Sequence, residues 1–318
     1  MRGGDDTIGT TRTAREGEDR EQPGGTRRQF LMTAAAGLLA GAGVPQVAQA
    51  FDFEAFFQKH FRRLDDDELD DVIARLERRY SAQYGKQFHM DAVGPVDGVV
   101  FGYGLDVSRC IGCRRCVYAC VEENNQSRDP EIHWIRVLEF ERDQVLRGIH
   151  LEDGDPYYDH EKVPAPGKMY LPIACQQCED SPCTSVCPTG ATWRESDGIV
   201  AIDYDWCIGC RYCMAACPYG ARHFNWKEPK IPADEINTDT HVIGNRPRMQ
   251  GVVEKCTFCI QRTRKGRYPA CLEACPVGAR KFGNLLDPNS EIRQIMKLKR
   301  TFVLKAELNT RPKFFYFV

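Results

Sequence analysis

Residues 207–222 read CIGCRYCMAACPYGAR. Cys207, Cys210, Cys213 and Cys217 fall at the spacing C-x2-C-x2-C-x3-C, and Pro218 follows the last of them. Three further sets share the pattern. Cys110, Cys113, Cys116 and Cys120 repeat the spacing. Cys175, Cys178, Cys183 and Cys187 widen the second gap to x4, and Cys256, Cys259, Cys271 and Cys275 widen it to x11. Pro188 and Pro276 close the second and fourth sets, whereas Val121 follows Cys120 in the first. All 16 cysteines of the 318-residue chain belong to these four sets.

The chemistry explains the spacing. A [4Fe–4S] cube needs four thiolates, one per iron. A tight C-x2-C-x2-C loop wraps three corners and leaves backbone N–H groups free to turn toward the sulfurs. The fourth cysteine points away and completes a neighbouring cluster. Proline then restricts the chain as it leaves. The motifs therefore work in pairs, and 16 cysteines supply four clusters with none left over. The second and third sets are close in sequence, so the simplest pairing joins them. It gives Cys175, Cys178 and Cys183 with Cys217, and Cys207, Cys210 and Cys213 with Cys187. The first and fourth sets then pair across the chain: Cys110, Cys113 and Cys116 with Cys275, and Cys256, Cys259 and Cys271 with Cys120.

Three other uses of cysteine compete with this one. Structural zinc is usually held by two C-x2-C pairs separated by a longer gap. The thrice-repeated C-x3-C-P ending fits iron–sulfur chemistry better, and a structural zinc scaffold is the alternative of another class. Cysteines three apart at this density make awkward disulfides. No C-x-x-C is followed by histidine, as covalent haem attachment requires.

The N-terminus bears on compartment. Arg27 and Arg28 in TRRQFLM (residues 26–32) precede a short apolar run, TAAAGLLAGAGV, and then Ala48, Gln49 and Ala50. This is the layout of a signal peptide of twin-arginine (Tat) type, cleaved after Ala50. The run is shorter than the ~20 apolar residues a membrane span needs, and no later stretch approaches that length. The expected organisation is a signal peptide over 1–50, an N-terminal helical segment over 51–97 and a four-cluster domain over 98–318.

Within 51–97, Leu69, Val72, Ile73, Leu76 and Tyr80 share one face of a helix. Asp65–Asp67 lie near its start and Arg78 and Arg79 near its end, as the helix dipole favours. The expectation is a helix packed on the domain; the alternative is a docking helix for a partner. From residue 98 the chain becomes repetitive: GLDVSRC and GIVAIDYDWC each place a β-like stretch and an Asp-containing turn before a cysteine set. Residues 141–168 and 224–250 are rich in Pro, Gly, Asp and Lys and read as insertions. The aromatic end, RPKFFYF, is either a core-capping strand or a partner contact. Arg114, Arg115 and Arg211, inside the cysteine loops, either tune cluster potential or dock a partner, or are simply solvated. Trp134, Trp193 and Trp206 are expected to pack, the histidines to be structural, and the basic stretch QRTRKGRYPA (261–270) to be a solvated loop, with an acidic partner as the alternative.

A net charge of −2 gives no pull toward nucleic acid. No dinucleotide-binding glycine motif, P-loop or nucleophile motif is present, which argues against substrate chemistry by this chain alone.

The order of the motifs, CIGCRYCMAACPYGAR at 207–222, VVEKCTFC at 252–259 and CIGCRRCVYACVEENNQ from Cys110 resemble the ferredoxin-type iron–sulfur subunits of membrane-bound respiratory oxidoreductases. These include the electron-transfer subunits of the DMSO reductase family and NrfC-like proteins; the twin-arginine segment adds a resemblance to periplasmic DsrO-type subunits. The resemblance covers residues 98–318. It implies an α+β fold of tandem bacterial-ferredoxin-like modules with insertions, preceded by an N-terminal helix. It also implies a non-catalytic electron-transfer subunit with four [4Fe–4S] clusters, periplasmic and peripheral to the inner membrane. Such a subunit passes single electrons between an NrfD-like integral membrane quinone-interacting subunit and a multihaem cytochrome or other DsrO-type partner. The alternative is the electron-transfer beta subunit of a molybdopterin oxidoreductase. No nucleic-acid partner is implied, and membrane association comes only through partners.

Overall fold

The computed structural model describes residues 64–145 and 148–318. The twin-arginine segment, the cleavage site at Ala48–Ala50 and residues 51–63 lie outside them. Helix α1 (Asp66–Tyr84) begins at a capping box: the Asp65 carboxylate accepts from the Glu68 N–H, and the Glu68 side chain accepts from the Asp65 N–H. Gly85, left-handed, ends it. Leu76 and Tyr80 are its buried residues, with Val72 and Ile73 packed alongside. The Tyr80 hydroxyl donates to the Pro247 carbonyl at 2.9 Å.

The remaining elements are short. Single-turn helices aside, in chain order they are β1 (His89–Asp91), β2 (Phe101–Asp106), α2 (Arg115–Glu123), β3 (Arg136–Glu141), β4 (Lys168–Ile173), β5 (Thr192–Arg194), β6 (Val200–Ile202), β7 (His223–Phe224), β8 (Asp239–His241), β9 (Val253–Glu254), β10 (Arg280–Asn284), α3 (Glu291–Leu298), β11 (Thr301–Phe302) and β12 (Phe314–Phe317). Single helical turns at Pro182–Ser185, Tyr212–Ala215 and Ala270–Glu273 each carry the third cysteine of a set. The fold is mixed helix and strand, with small sheets.

The pairing of the strands follows one rule. The strand leaving each cysteine set pairs antiparallel with the strand entering the next. β3 leaves the first set and pairs β4, which enters the second. β5 pairs β6 in the same way, and β7 pairs β9. The rule then closes: β10 leaves the fourth set and pairs β2, which enters the first. Helix α2 packs on the turn Ala270–Glu273, and the turn Pro182–Ser185 packs on Tyr212–Ala215. First joins fourth and second joins third.

The entries are also alike in detail. The Asp106 carboxylate accepts from the N–H groups of Ser108 (3.0 Å) and Arg109 (3.3 Å), and Asp203 accepts from those of Asp205 (2.8 Å) and Trp206 (3.3 Å). Each aspartate turns its strand into a cysteine loop by capping the bend with its own side chain. The insertions have defined places. Residues 224–250 carry β8, which pairs parallel with β1 and holds α1 against Ile231 and Ile236. In 142–167, the Tyr158 hydroxyl donates to the Gly112 carbonyl at 2.5 Å and Arg114 stacks 4.5 Å over the Tyr158 ring.

The aromatic end is a core strand. β12 lies between β2, to which it runs parallel, and β11. Phe314 is 1% exposed and stacks on Tyr103 at 4.7 Å. Phe314→Ala should cost about 3–5 kcal/mol by the usual penalty for deleting a buried aromatic, read as a lowered midpoint in denaturant unfolding. Two histidines, His241 buried and His223 half-buried, give a pH dependence. Burial holds both His223 and His241 neutral and lowers them to about 4. The unfolded chain binds these protons near the ordinary histidine value of about 6.5. Their stabilisation is therefore complete above that pH and is lost as pH falls from there toward 4. Thermal unfolding between pH 7 and pH 4.5 should show the decline, and His241→Gln should reduce its slope.

Candidate iron–sulfur centres

The local conformation of the cysteine loops is set by one repeated feature. The residue before the second cysteine of each set is left-handed: Gly112 (φ 75°), Gln177 (φ 46°), Gly209 (φ 73°) and Phe258 (φ 55°). That turn directs successive N–H groups inward, as in an anion-binding nest. N–H groups of Gly112, Gly209 and Phe258 act on the sulfurs of Cys110, Cys207 and Cys256 respectively. At Gly209 a side chain is excluded twice over, because a Cβ would also run into the Gly251 carbonyl oxygen.

The sixteen cysteines are free thiols, and they converge four by four. Cys110, Cys113, Cys116 and Cys275 line one cavity. Cys187, Cys207, Cys210 and Cys213 line a second, and Cys175, Cys178, Cys183 and Cys217 a third. Three cavities, each with four thiols, mark one repeated use. The remaining four, Cys120, Cys256, Cys259 and Cys271, are all buried, and the last three are the ionisable neighbours that act most strongly on Cys120. We number these cages I (110, 113, 116, 275), II (120, 256, 259, 271), III (175, 178, 183, 217) and IV (187, 207, 210, 213). Among the described residues no group of three or more His, Cys, Asp or Glu side chains draws close enough to hold a single metal ion.

The cages form a succession. Cys116 of cage I feels Cys271 of cage II. Cys256 of cage II feels Cys175 of cage III, and Cys213 of cage IV feels Cys183 of cage III. Burial differs along it. Every cysteine of cage II is buried, whereas all four of cage I and two of cage IV, Cys187 and Cys210, are only half-buried. Beside cage IV, Ile208 and Tyr212 stand exposed.

Electrostatics favour a positively charged occupant. Burial pushes the Cys110 and Cys213 thiols up to about 11 and those of Cys178 and Cys256 up to about 12. A bare thiolate is disfavoured there and needs compensating charge, which iron provides. The protein provides part of it. Arg280 Nη2 donates to Cys116 Sγ at 3.1 Å, and Arg222 Nη2 donates to Cys183 Sγ at 3.0 Å. Around cage II the donors are neutral: Gln126 Nε2 donates to Cys120 Sγ at 3.1 Å, Asn124 Nδ2 lies 3.5 Å from the same sulfur, and the Tyr103 hydroxyl lies 3.2 Å from Cys271 Sγ. Arg222 Nε and Nη1 are buried without a hydrogen-bond partner, as expected of a guanidinium meant to face a delocalised anion.

Sequence reading singled out the sixteen cysteines but not these donors. Arg222 and Arg280 each stand five residues after the fourth cysteine of their set, in CPYGAR and CPVGAR; that repeat was the available signal. The arginines chosen instead sit elsewhere. Arg115 is exposed, Arg114 donates to the Pro156 carbonyl, and Arg211 lies over the Trp226 ring at 4.5 Å. The stretch 261–270 is not a solvated loop throughout. Arg262 and Arg264 are buried and pair with Glu123, Glu273, Glu195 and Asp197. Trp134 is buried, its indole donating to Glu254 at 3.0 Å.

These features define a protein built from ferredoxin-type dicluster modules, and comparison with known proteins agrees. Two family models, each described as a 4Fe-4S dicluster domain, match residues 109–191 and residues 167–248 with 242–285. The chain is 38% identical over 244 residues to the iron-sulfur cluster-binding subunit of menaquinone reductase from Nitratidesulfovibrio vulgaris, covering 69% of this chain and 88% of the relative. It is 33% identical over 309 residues to a selenate reductase subunit from Mesobacillus selenatarsenatis (92% and 96% covered). It is 36% identical over 222 residues to protein NrfC from Escherichia coli (69% and 81% covered). The chain belongs to the ferredoxin-type iron–sulfur electron-transfer subunits of respiratory oxidoreductases.

Gly209→Ala should lower iron and acid-labile sulfide per chain, because the cage IV loop cannot close past Gly251. Gly94→Ala, where nothing lies within 4 Å of an added Cβ, should leave both unchanged.

Proposed function

We propose that the chain is a one-electron relay holding four [4Fe–4S] clusters, one in each cage, with the sixteen cysteines as ligands in the sets I to IV. The observation that carries this reading is the succession of four-thiol cages, enclosed in the middle and reaching the surface at both ends. Bound clusters supply the capacity to accept and release single electrons. The polypeptide does the rest. The strand ring fixes the order of the cages, the N–H nests and arginines orient toward the sulfurs, and the apolar core keeps water from cage II. Half-buried cysteines in cages I and IV leave each terminal site within reach of a partner.

We assign to one end an NrfD-like quinone-interacting membrane subunit and to the other a partner redox subunit, a multihaem cytochrome or other component of a DsrO-type complex. The resemblance to protein NrfC and to a menaquinone reductase subunit supports this. A molybdopterin catalytic subunit is the alternative partner, favoured by the near full-length match to a selenate reductase subunit. The twin-arginine segment at Arg27 and Arg28 supports export in folded form to the periplasm. No helix among the described residues is long and apolar enough to cross a membrane, so attachment to the inner membrane runs through partners.

Anaerobically purified protein should contain about sixteen iron and sixteen sulfide per chain, with magnetically coupled EPR signals after dithionite reduction. Cys275→Ser should reduce iron to about twelve by removing one four-iron cluster. About four zinc and no sulfide per chain would replace this account with a structural zinc protein. Affinity purification from membranes would then identify the subunit at each end.

A further inference from the structure

Eight arginines and lysines are buried among the described residues: Arg222, Arg246, Arg248, Lys255, Arg262, Arg264, Arg280 and Lys313. Five pair with carboxylates. Arg246 pairs with Asp205, Arg248 with Glu254, Arg262 with Glu123, Arg264 with Asp197 and Lys313 with Glu179. The other three, Arg280, Lys255 and Arg222, have no carboxylate within ion-pair distance among the described residues, although they are 3%, 0% and 4% exposed. An uncompensated buried charge is among the costliest features a fold can carry.

Their positions supply the explanation. Arg280 donates to Cys116 of cage I, and its charge acts on Cys271 of cage II. Lys255 Nζ donates to the Cys256 carbonyl at 2.8 Å, and Gln177 Nε2, from the cage III loop, donates to the same oxygen at 2.7 Å. The ammonium group therefore sits where cages II and III meet. Arg222 donates to Cys183 of cage III, and its charge acts on Cys213 of cage IV. One unpaired cation stands at each of the three junctions.

We propose that Arg280, Lys255 and Arg222 are the counter-charges of the relay, each raising the reduction potential of the two clusters beside it. This rests on the four-cluster reading above. Reducing a cluster adds negative charge in a low-dielectric interior, where a fixed cation a few ångströms away favours the reduced form. Placed between two clusters, the cation also weakens the repulsion between an electron on one and an electron on the next.

The test is an EPR-monitored redox titration of the intact, cluster-loaded protein and of Arg280→Gln, Lys255→Gln and Arg222→Gln, with iron and sulfide measured first. Each neutral variant should lower the midpoint potentials of two clusters and leave two unmoved. The pattern of overlap needs no assignment of signals. The Lys255→Gln pair should share one cluster with each of the other pairs, and the Arg280→Gln and Arg222→Gln pairs should share none. Arg280→Lys, Lys255→Arg and Arg222→Lys should stay near wild type. Full iron with unmoved potentials, or all four potentials moving together, overturns the proposal. Wild-type protein lacking four clusters overturns the four-cluster reading itself. If a neutral variant loses clusters, its charge-conserving partner decides. Loss there too assigns the side chain to packing and overturns the proposal, whereas retention with near wild-type potentials supports it.

Discussion

The exit of every cysteine set is hydrogen-bonded to the entry of the next, and the exit of the last to the entry of the first. Everything else in the structure depends on that closure. The hairpins are too short to be stable alone: β5 and β6 have three residues each, and β7 and β9 two. They persist because each is bounded at both ends by a cysteine loop, and the loops are bounded by the cages. The described residues form three hydrophobic clusters rather than one uniform core, and cysteines form part of the two largest. The candidate cluster ligands and part of the hydrophobic packing are here the same residues seen from two sides.

Electrostatic demand follows from the same arrangement. Burial raises the cost of ionising thiols such as Cys110, Cys178, Cys213 and Cys256, and the protein answers with backbone dipoles at the nests and cations at the junctions. The surroundings of the cages are not uniform. Cage I and cage III receive an arginine on sulfur, while cage II receives amides and a phenol. Sulfurs in different fields hold clusters at different potentials, so the polypeptide can grade the relay without changing a ligand.

Much of this was legible in the sequence, and the limits are physical. The cysteine spacing carried the class of site, because the geometry of each cysteine loop is local; which sets lie together is fixed by strands and turns distant in sequence. The turns at Asp106 and Asp203 were legible because they too are local, as is the apolar face of α1. The place of Phe314–Phe317 was not, because a strand's neighbours are set by distant residues; β12 joins β2 from the other end of the chain. The basic stretch 261–270 looked solvated because its acids, Glu123, Glu195 and Asp197, lie far away in sequence. Arg222 and Arg280 were visible as a repeat, but nothing local explained why an arginine should follow Gly-Ala at both places.

Closure also sets an order of assembly. Cages III and IV draw all their cysteines from residues 175–217, so that half of the ring can be complete while later residues are still being synthesised. Cage I cannot. Three of its thiols leave the ribosome first of all, yet Cys275, its fourth, is the last cysteine made. Until then Cys110, Cys113 and Cys116 stand open to oxidation or to capture by a stray metal ion. The oldest cysteines of the nascent chain are thus the last to be sealed, and a cell making this protein must shelter those three thiols for about half of its synthesis.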